Sequence, residues 1–197
     1  ISSVSALNLD LDRLENGRPV ALSIGGSPAR LILKRASAER FGDVWSGSVE
    51  GGGSFVITRH LGIINGDIEF GTSRWQIKTV GVGKYELWQV DSAYIATQDS
   101  GRDEATAKPN IAAVAPQQNN CSGTAAGNTI DIAIYYTPEA RIGAGRTAQI
   151  QAEAYQAVAL TNQSFVNSGV TAQLNLVVVR ELAVSEAVPN MDNVLNS

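Results

Sequence analysis

One cysteine and one histidine are all this chain has of the two side chains that most often build metal and redox sites. With Cys121 alone, no internal disulfide forms and no Cys-rich zinc cluster can be assembled. His60 alone cannot supply the three nitrogen ligands of a catalytic zinc, and no other set of His and Cys is present to replace them. An excess of basic charge is missing too. The 15 Lys and Arg face 19 Asp and Glu, for a net charge of −4. Residues 1–100 carry 10 basic and 11 acidic side chains and residues 101–197 carry 5 and 8, so the balance is −1 and −3. Neither part has the electrostatic footprint of a nucleic-acid partner, and none is expected. No apolar run approaches the roughly 20 residues of a membrane-spanning helix.

What is present is ordinary globular material. Hydrophobic residues make up 44% and charged residues 17%, enough to bury a core. A length of 197 residues lies between one large domain and two small ones. The first residue is Ile1 rather than Met, which leads to the expectation that an upstream segment was removed; a secretory signal would fit there.

Three zones follow one another. In residues 1–28, Val4, Leu7, Leu9, Leu11 and Leu14 alternate weakly with polar residues. Asn16-Gly17 signals a turn, and residues 19–24 read as a short edge strand. Over residues 29–91, strand-like runs at 29–35, 43–50, 54–60, 63–70, 74–80 and 84–91 are separated by Gly51-Gly52-Gly53, Asn65-Gly66, Gly71 and Gly81-Val82-Gly83. The period within the runs is two, as in Trp75, Ile77, Thr79 and in Tyr85, Leu87, Gln89. Glycines that reach positive φ in tight hairpins and β-branched or aromatic residues on pleated faces predict an antiparallel meander. Trp45, Trp75 and Trp88 all fall in it and are expected in one core. Residues 98–128 are dominated by Ala, Gln, Asn, Gly, Ser and Thr and show no sustained apolar period, so they read as an extended linker between domains.

The last zone reads as α/β. Residues 129–137 form a strand-like run stopped by Pro138. Thr147 is expected to cap a helix with an apolar stripe of Ile150, Ala154, Ala157, Val158, Thr161 and Phe165, and Gly169 to stop it. Residues 174–182 read as a second strand buried on both faces. Strand, helix and strand in this order predict a right-handed crossover with parallel strands. Asn190 to Leu195 look like the first turn of a further helix cut off at Ser197.

The segment Ile130-Asp131-Ile132-Ala133-Ile134-Tyr135-Tyr136-Thr137-Pro138-Glu139-Ala140-Arg141 is similar to the start of the catalytic domain of bacterial reprolysin-like metallopeptidases, in the metzincin group. There a strand ends in Tyr-Thr-Pro and is followed by a small-residue loop and a long helix. Thr161 to Val170 resemble the end of that helix and Gln173 to Leu182 the next strand, so the resemblance covers about residues 129–197. It implies an α+β chain: a β-rich pro-domain at 1–97, a linker with the activation site at 98–128, and the N-terminal part of the catalytic domain at 129–197. It also implies a secreted or periplasmic zinc endopeptidase precursor acting on protein substrates, its pro-domain serving as intramolecular inhibitor or folding aid for its own catalytic domain. Zinc is expected in the complete protein, on a His-Glu-Xaa-Xaa-His motif that these residues do not contain, so this chain is expected to bind none. Arg102 and Lys108 mark the expected activation cleavage region.

Cys121 lies just upstream of the first catalytic strand, where a pro-region thiolate could block a zinc as the zymogens of related families do. Asn120-Cys121-Ser122-Gly123 matches no known switch motif, and a disulfide to a cysteine beyond residue 197 is the blander alternative. His60 reads as a turn residue at a sheet edge. Gly51-Gly52-Gly53 and Gly81-Val82-Gly83 read as hairpins, since no helix follows either to bind a phosphate. Trp45, Trp75, Tyr85 and Trp88 would line a sugar-binding face in a second reading, a non-catalytic β-rich module that binds carbohydrate or a protein surface; core packing is the commoner fate of tryptophan.

Overall fold

The computed structural model describes residues 3–10, 13–14, 18–90 and 128–183. Eight strands run in chain order as β1 (Ser3–Leu7), β2 (Val20–Ile24), β3 (Ser27–Glu39), β4 (Gly42–Val49), β5 (Ser54–His60), β6 (Ile63–Phe70), β7 (Ser73–Gly81) and β8 (Lys84–Val90). They form one sheet in the order β1-β8-β7-β6-β5-β4-β3-β2, every neighbouring pair antiparallel. The chain is thus mostly antiparallel β with a few helices, an α+β protein, and the sheet is nearly closed. The meander appears as the period of two and the breaks at Gly51-Gly52-Gly53, Gly71 and Gly81-Val82-Gly83 require. Asn65-Gly66 is no break: both residues lie inside β6, paired to β5 and β7, and Gly66 gives the Ile57 and Ile77 side chains room. Gly42 shows what such a break demands: it opens β4 at φ +146°, and a Cβ there would stand 1.9 Å from the Arg59 carbonyl oxygen. Only a residue without a side chain fits.

Alternation sends one set of side chains to a single apolar core. Leu31, Phe55, Ile57, Ile64, Ile68, Ile77 and Leu87 are essentially sealed, together with Trp45 and Trp75. Each such burial contributes about 1.5–3 kcal/mol. The expectation of one core for all three tryptophans needs correction. Trp88 is half-buried on the opposite face, where Lys78 lies 4.9 Å from its ring centroid and its Nε1 donates to Glu86 at 2.8 Å. The reason is the period itself: Leu87 points into the core, so its neighbour points out.

Residues 128–183 build a smaller unit of β9 (Thr129–Tyr136), α1 (Pro138–Ala144), α2 (Thr147–Asn167) and β10 (Gln173–Glu181). β9 and β10 pair in parallel, as a strand-helix-strand crossover requires. A short helix, α1, occupies the stretch after Tyr-Thr-Pro where a loop was expected. Thr137 caps it by accepting from the Ala140 N–H at 3.0 Å, with Pro138 in its first turn. Thr147 is the first residue of α2 rather than its cap; Arg146 takes the cap position in extended conformation with no side-chain bond. Gly169 ends α2 as expected. At φ +69° it lets the Val170 N–H reach Phe165 O at 2.8 Å and its own N–H reach Val166 O at 3.2 Å, closing a Schellman turn. β10 is not buried on both faces: among the described residues it pairs only with β9, and only Leu176 is sealed, against α2.

Candidate functional site

The two units meet along α2, which lies across β5 and β6 on the face of the sheet opposite the apolar core. The sequence pattern pointed to Ile150, Ala154, Ala157, Val158, Thr161 and Phe165 as the covered stripe. Of these only Val158 is sealed; the buried positions are Gln149, Ala152, Tyr155, Gln156, Val158 and Ala159. The helix is covered on two sides at once. Tyr155 and Val158 pack with Leu176, Leu174, Ile132 and Ile134 of the small unit and with Phe41 and Val44 of the sheet. Gln149, Ala152, Gln156 and Ala159 form a second stripe spaced three, four and three residues apart.

Hydrogen bonds define this second stripe. Thr58, 1% exposed, donates its hydroxyl to Gln156 Oε1 at 2.5 Å, and Gln156 Nε2 donates to the Val56 carbonyl at 3.2 Å. Gln149 Nε2 lies 3.5 Å from Asn65 Oδ1 and 3.2 Å from Glu153 Oε1. At the sheet's β3–β4 corner, the Tyr155 hydroxyl lies 3.2 Å from Glu39 Oε2 and 3.1 Å from the Gly42 carbonyl, its single proton serving one acceptor at a time. Burial first, then the negative Glu39, push this phenol well above the usual range, so it stays a donor. Asn162 ties the other flank of α2 to β10, its Nδ2 donating to Leu174 O at 2.9 Å and its Oδ1 accepting from Leu174 N–H at 2.7 Å. Arg141 of α1 meets Glu181 of β10 at 2.6 Å.

His60 is the last residue of β5, inside the sheet order rather than at its edge, and it is buried at this seam. Its Nδ1 meets the Phe41 carbonyl, and its ring centroid lies 6.3 Å from Phe41 and 6.0 Å from Tyr155. Nε2 is buried without a hydrogen-bond partner among the described residues. This is a packed seam residue. It does not fit as a zinc ligand, because no second His or Cys stands with it; among the described residues no cluster of three or more His, Cys, Asp and Glu could hold a metal.

Beside the seam an open cleft of about 280 Å³ runs between α2 and β6–β7, lined by Asn65, Asp67, Gln76, Lys78, Glu153 and Gln156 among others. Asp67, 6% exposed, is held by Arg74 Nε at 2.8 Å. Burial raises the Asp67 carboxyl above its ordinary range, and the bond to Arg74 offsets this only in part. The same bond raises the guanidinium of the more exposed Arg74, which gains from the pair while Asp67 carries most of the desolvation.

Cys121, Arg102 and Lys108 lie outside the described residues. The aromatic face does not assemble: Trp45 and Trp75 are in the core, Tyr85 packs against it, and Trp88 stands on the other side. Among the described residues no helix is long and apolar enough to cross a membrane. Gln149, Gln156 and Thr58 escaped sequence reasoning, and Asn65 was read as part of a turn; the one signal that could have found the glutamines is the heptad spacing of Gln and Ala along α2. Compared with protein-family models, curated proteins and solved structures, the chain matches none.

Proposed function

We propose that the eight-stranded sheet is the pro-region of a secreted or periplasmic zinc endopeptidase precursor, and that β9–α1–α2–β10 opens the catalytic domain it holds. The observation that carries this reading is the seam. The sheet closes its apolar core on one face and grips α2 with the other, through Thr58, Val56 and Asn65, so that one part is held by a neighbour with a core of its own. The resemblance of residues 129–197 to reprolysin-like peptidases supplies the enzyme class. Zinc and its histidines belong to the complete protein, with protein substrates, since the residues of this chain do not form the ligand set.

The test uses the complete precursor. It is expected to be silent on casein while intact, and to gain chelator-sensitive activity once cut within residues 98–128, where Arg102 and Lys108 lie. A complete gene product without a His-Glu-Xaa-Xaa-His motif would refute the reading, as would one equally active before and after the cut.

A further inference from the structure

We infer that Gln149 and Gln156 are the residues by which the sheet selects this helix, through an amide-and-alanine seam built to part and re-form. The inference rests on the reading of the sheet as a detachable pro-region and names what that attachment recognises.

The pattern is specific. Gln149, Ala152, Gln156 and Ala159 recur at heptad spacing and are all buried. The alanines end at Cβ, which lets the helix backbone come close to β5 and β6. The glutamines are long enough to reach the sheet from that distance. Gln156 uses both ends of its amide, accepting from Thr58 and donating to the Val56 carbonyl, and is 8% exposed. Gln149 is the looser of the two, since its 3.5 Å approach to Asn65 is shared with Glu153 and leaves Asn65 Nδ2 without a partner among the described residues. A helix with leucine at these positions would leave the buried Thr58 hydroxyl without its partner. An unmade buried hydrogen bond is far costlier than a made one is favourable, so such pairing discriminates strongly between partners.

Parting follows from the same chemistry. The groups uncovered along this stripe would be amides, a hydroxyl and alanine methyls, which water accepts, with Val56 as the one larger apolar side chain beside them. The sheet's apolar cluster is on the other face and stays closed. The larger apolar contact lies on one flank, where Tyr155 and Val158 meet Phe41 and Val44, and Val56 and Ile63 add two buried side chains on the same face as Thr58 and Asn65.

A double-mutant cycle in the full chain tests this, read by hydrogen exchange of the α2 amides. Thr58→Val leaves Gln156 Oε1 unpaired, and Gln156→Leu leaves the Thr58 hydroxyl unpaired and takes a donor from the Val56 carbonyl, so each is expected to lower protection about tenfold or more. Combined, they remove both members of the Thr58–Gln156 pair and leave only the Val56 carbonyl, a ladder residue of β5, short of one donor, so protection should return to within about threefold of wild type. Gln151→Leu, the same change one turn-face away, should leave protection unchanged. Amides of Ile57 and Ile77 in the sheet core should keep wild-type protection in every variant. Losses that multiply in the double variant, or loss of protection at Ile57 and Ile77 together with α2, would overturn the inference. The cycle needs no peptidase. Multiplying losses with a silent precursor sink this inference alone, and coupled losses with an intact, fully active precursor sink the pro-region reading.

Discussion

Replacing Trp75 by alanine should cost far more than replacing Trp88, and the contrast tests the assignment of inner and outer faces. Trp75 is 5% exposed within the apolar cluster, and its ring lies so close to the β2–β3 turn that a Cβ on Gly25 would stand 2.9 Å from it. Trp75→Ala is therefore expected to open a cavity and cost about 3–5 kcal/mol. At a urea slope of about 2 kcal/mol per molar, the unfolding midpoint should fall by about 1.5–2.5 M. Trp88 is half-buried and contributes a cation–π contact with Lys78 and a bond to Glu86. Its removal should cost about 1 kcal/mol. Trp75 carries a further test. Its Nε1 is buried without a partner among the described residues, a cost of about 1–3 kcal/mol that phenylalanine does not carry. Trp75→Phe should thus lose less than about 1.5 kcal/mol, the relieved N–H offsetting much of the lost volume. Urea unfolding followed by far-ultraviolet circular dichroism is the assay, since fluorescence would change with the tryptophans themselves. Equal midpoint shifts for Trp75→Ala and Trp88→Ala would refute the face assignment, and a Trp75→Phe as damaging as Trp75→Ala would refute the account of the indole N–H.

Gly42→Ala should melt well below Gly26→Ala: the first drives a methyl against the Arg59 carbonyl, while the second, at φ +82°, meets open space and suffers only backbone strain of about 1–2 kcal/mol. Identical melting temperatures would count against the close approach of β4 to β5 at Gly42. Asp67 sets a pH dependence. Its folded pKa is raised by burial, so the folded chain holds that proton more tightly than the unfolded chain. Its contribution to stability should fall as pH rises from the ordinary 3.8 through the folded pKa, with the cost fully present above that folded pKa. Wild type compared with Asp67→Asn by urea titration across this range should show wild type losing ground as pH rises; the opposite slope would show that Arg74 outweighs burial.

Strand positions were readable because two independent signals agree in this sheet. Glycine marks each hairpin, and between hairpins the period of two separates core from outer face. β5 and β6 fall at the boundaries that these signals set, Ser54–His60 and Ile63–Phe70. β3 runs on to Glu39, past the expected stop at residue 35, because a register shift between Leu33 and Arg35 absorbs the break in alternation and keeps the ladder to β4 intact. Leu87 and Trp88 cannot share a face, so alternation alone places Trp88 outside the core. The error in α2 was not avoidable by the same means. A hydrophobic pattern finds an apolar stripe, and α2 has one at Tyr155 and Val158, but its other buried stripe is polar and carries no hydrophobic signal.

That polar stripe explains why the seam was invisible from the sheet side as well. Along β5, Phe55 and Ile57 face the core, while Thr58 and His60 fall on the alternate face, which a reader of alternation assigns to solvent. Yet Thr58 is 1% exposed, because a helix covers it. Polar residues opposite an apolar core are consistent with water or with a hydrogen-bonded neighbour, and period alone does not separate the two. What separates them here is the partner's composition: alanines where a solvated helix could carry anything, and glutamines at the positions that face Thr58 and Asn65. A cover that shared one apolar core with the part it covers could not leave without unfolding. On the proposed reading, this sheet avoids that by closing its main core on one face and meeting α2 on the other through a small apolar flank and a stripe of groups that water also satisfies.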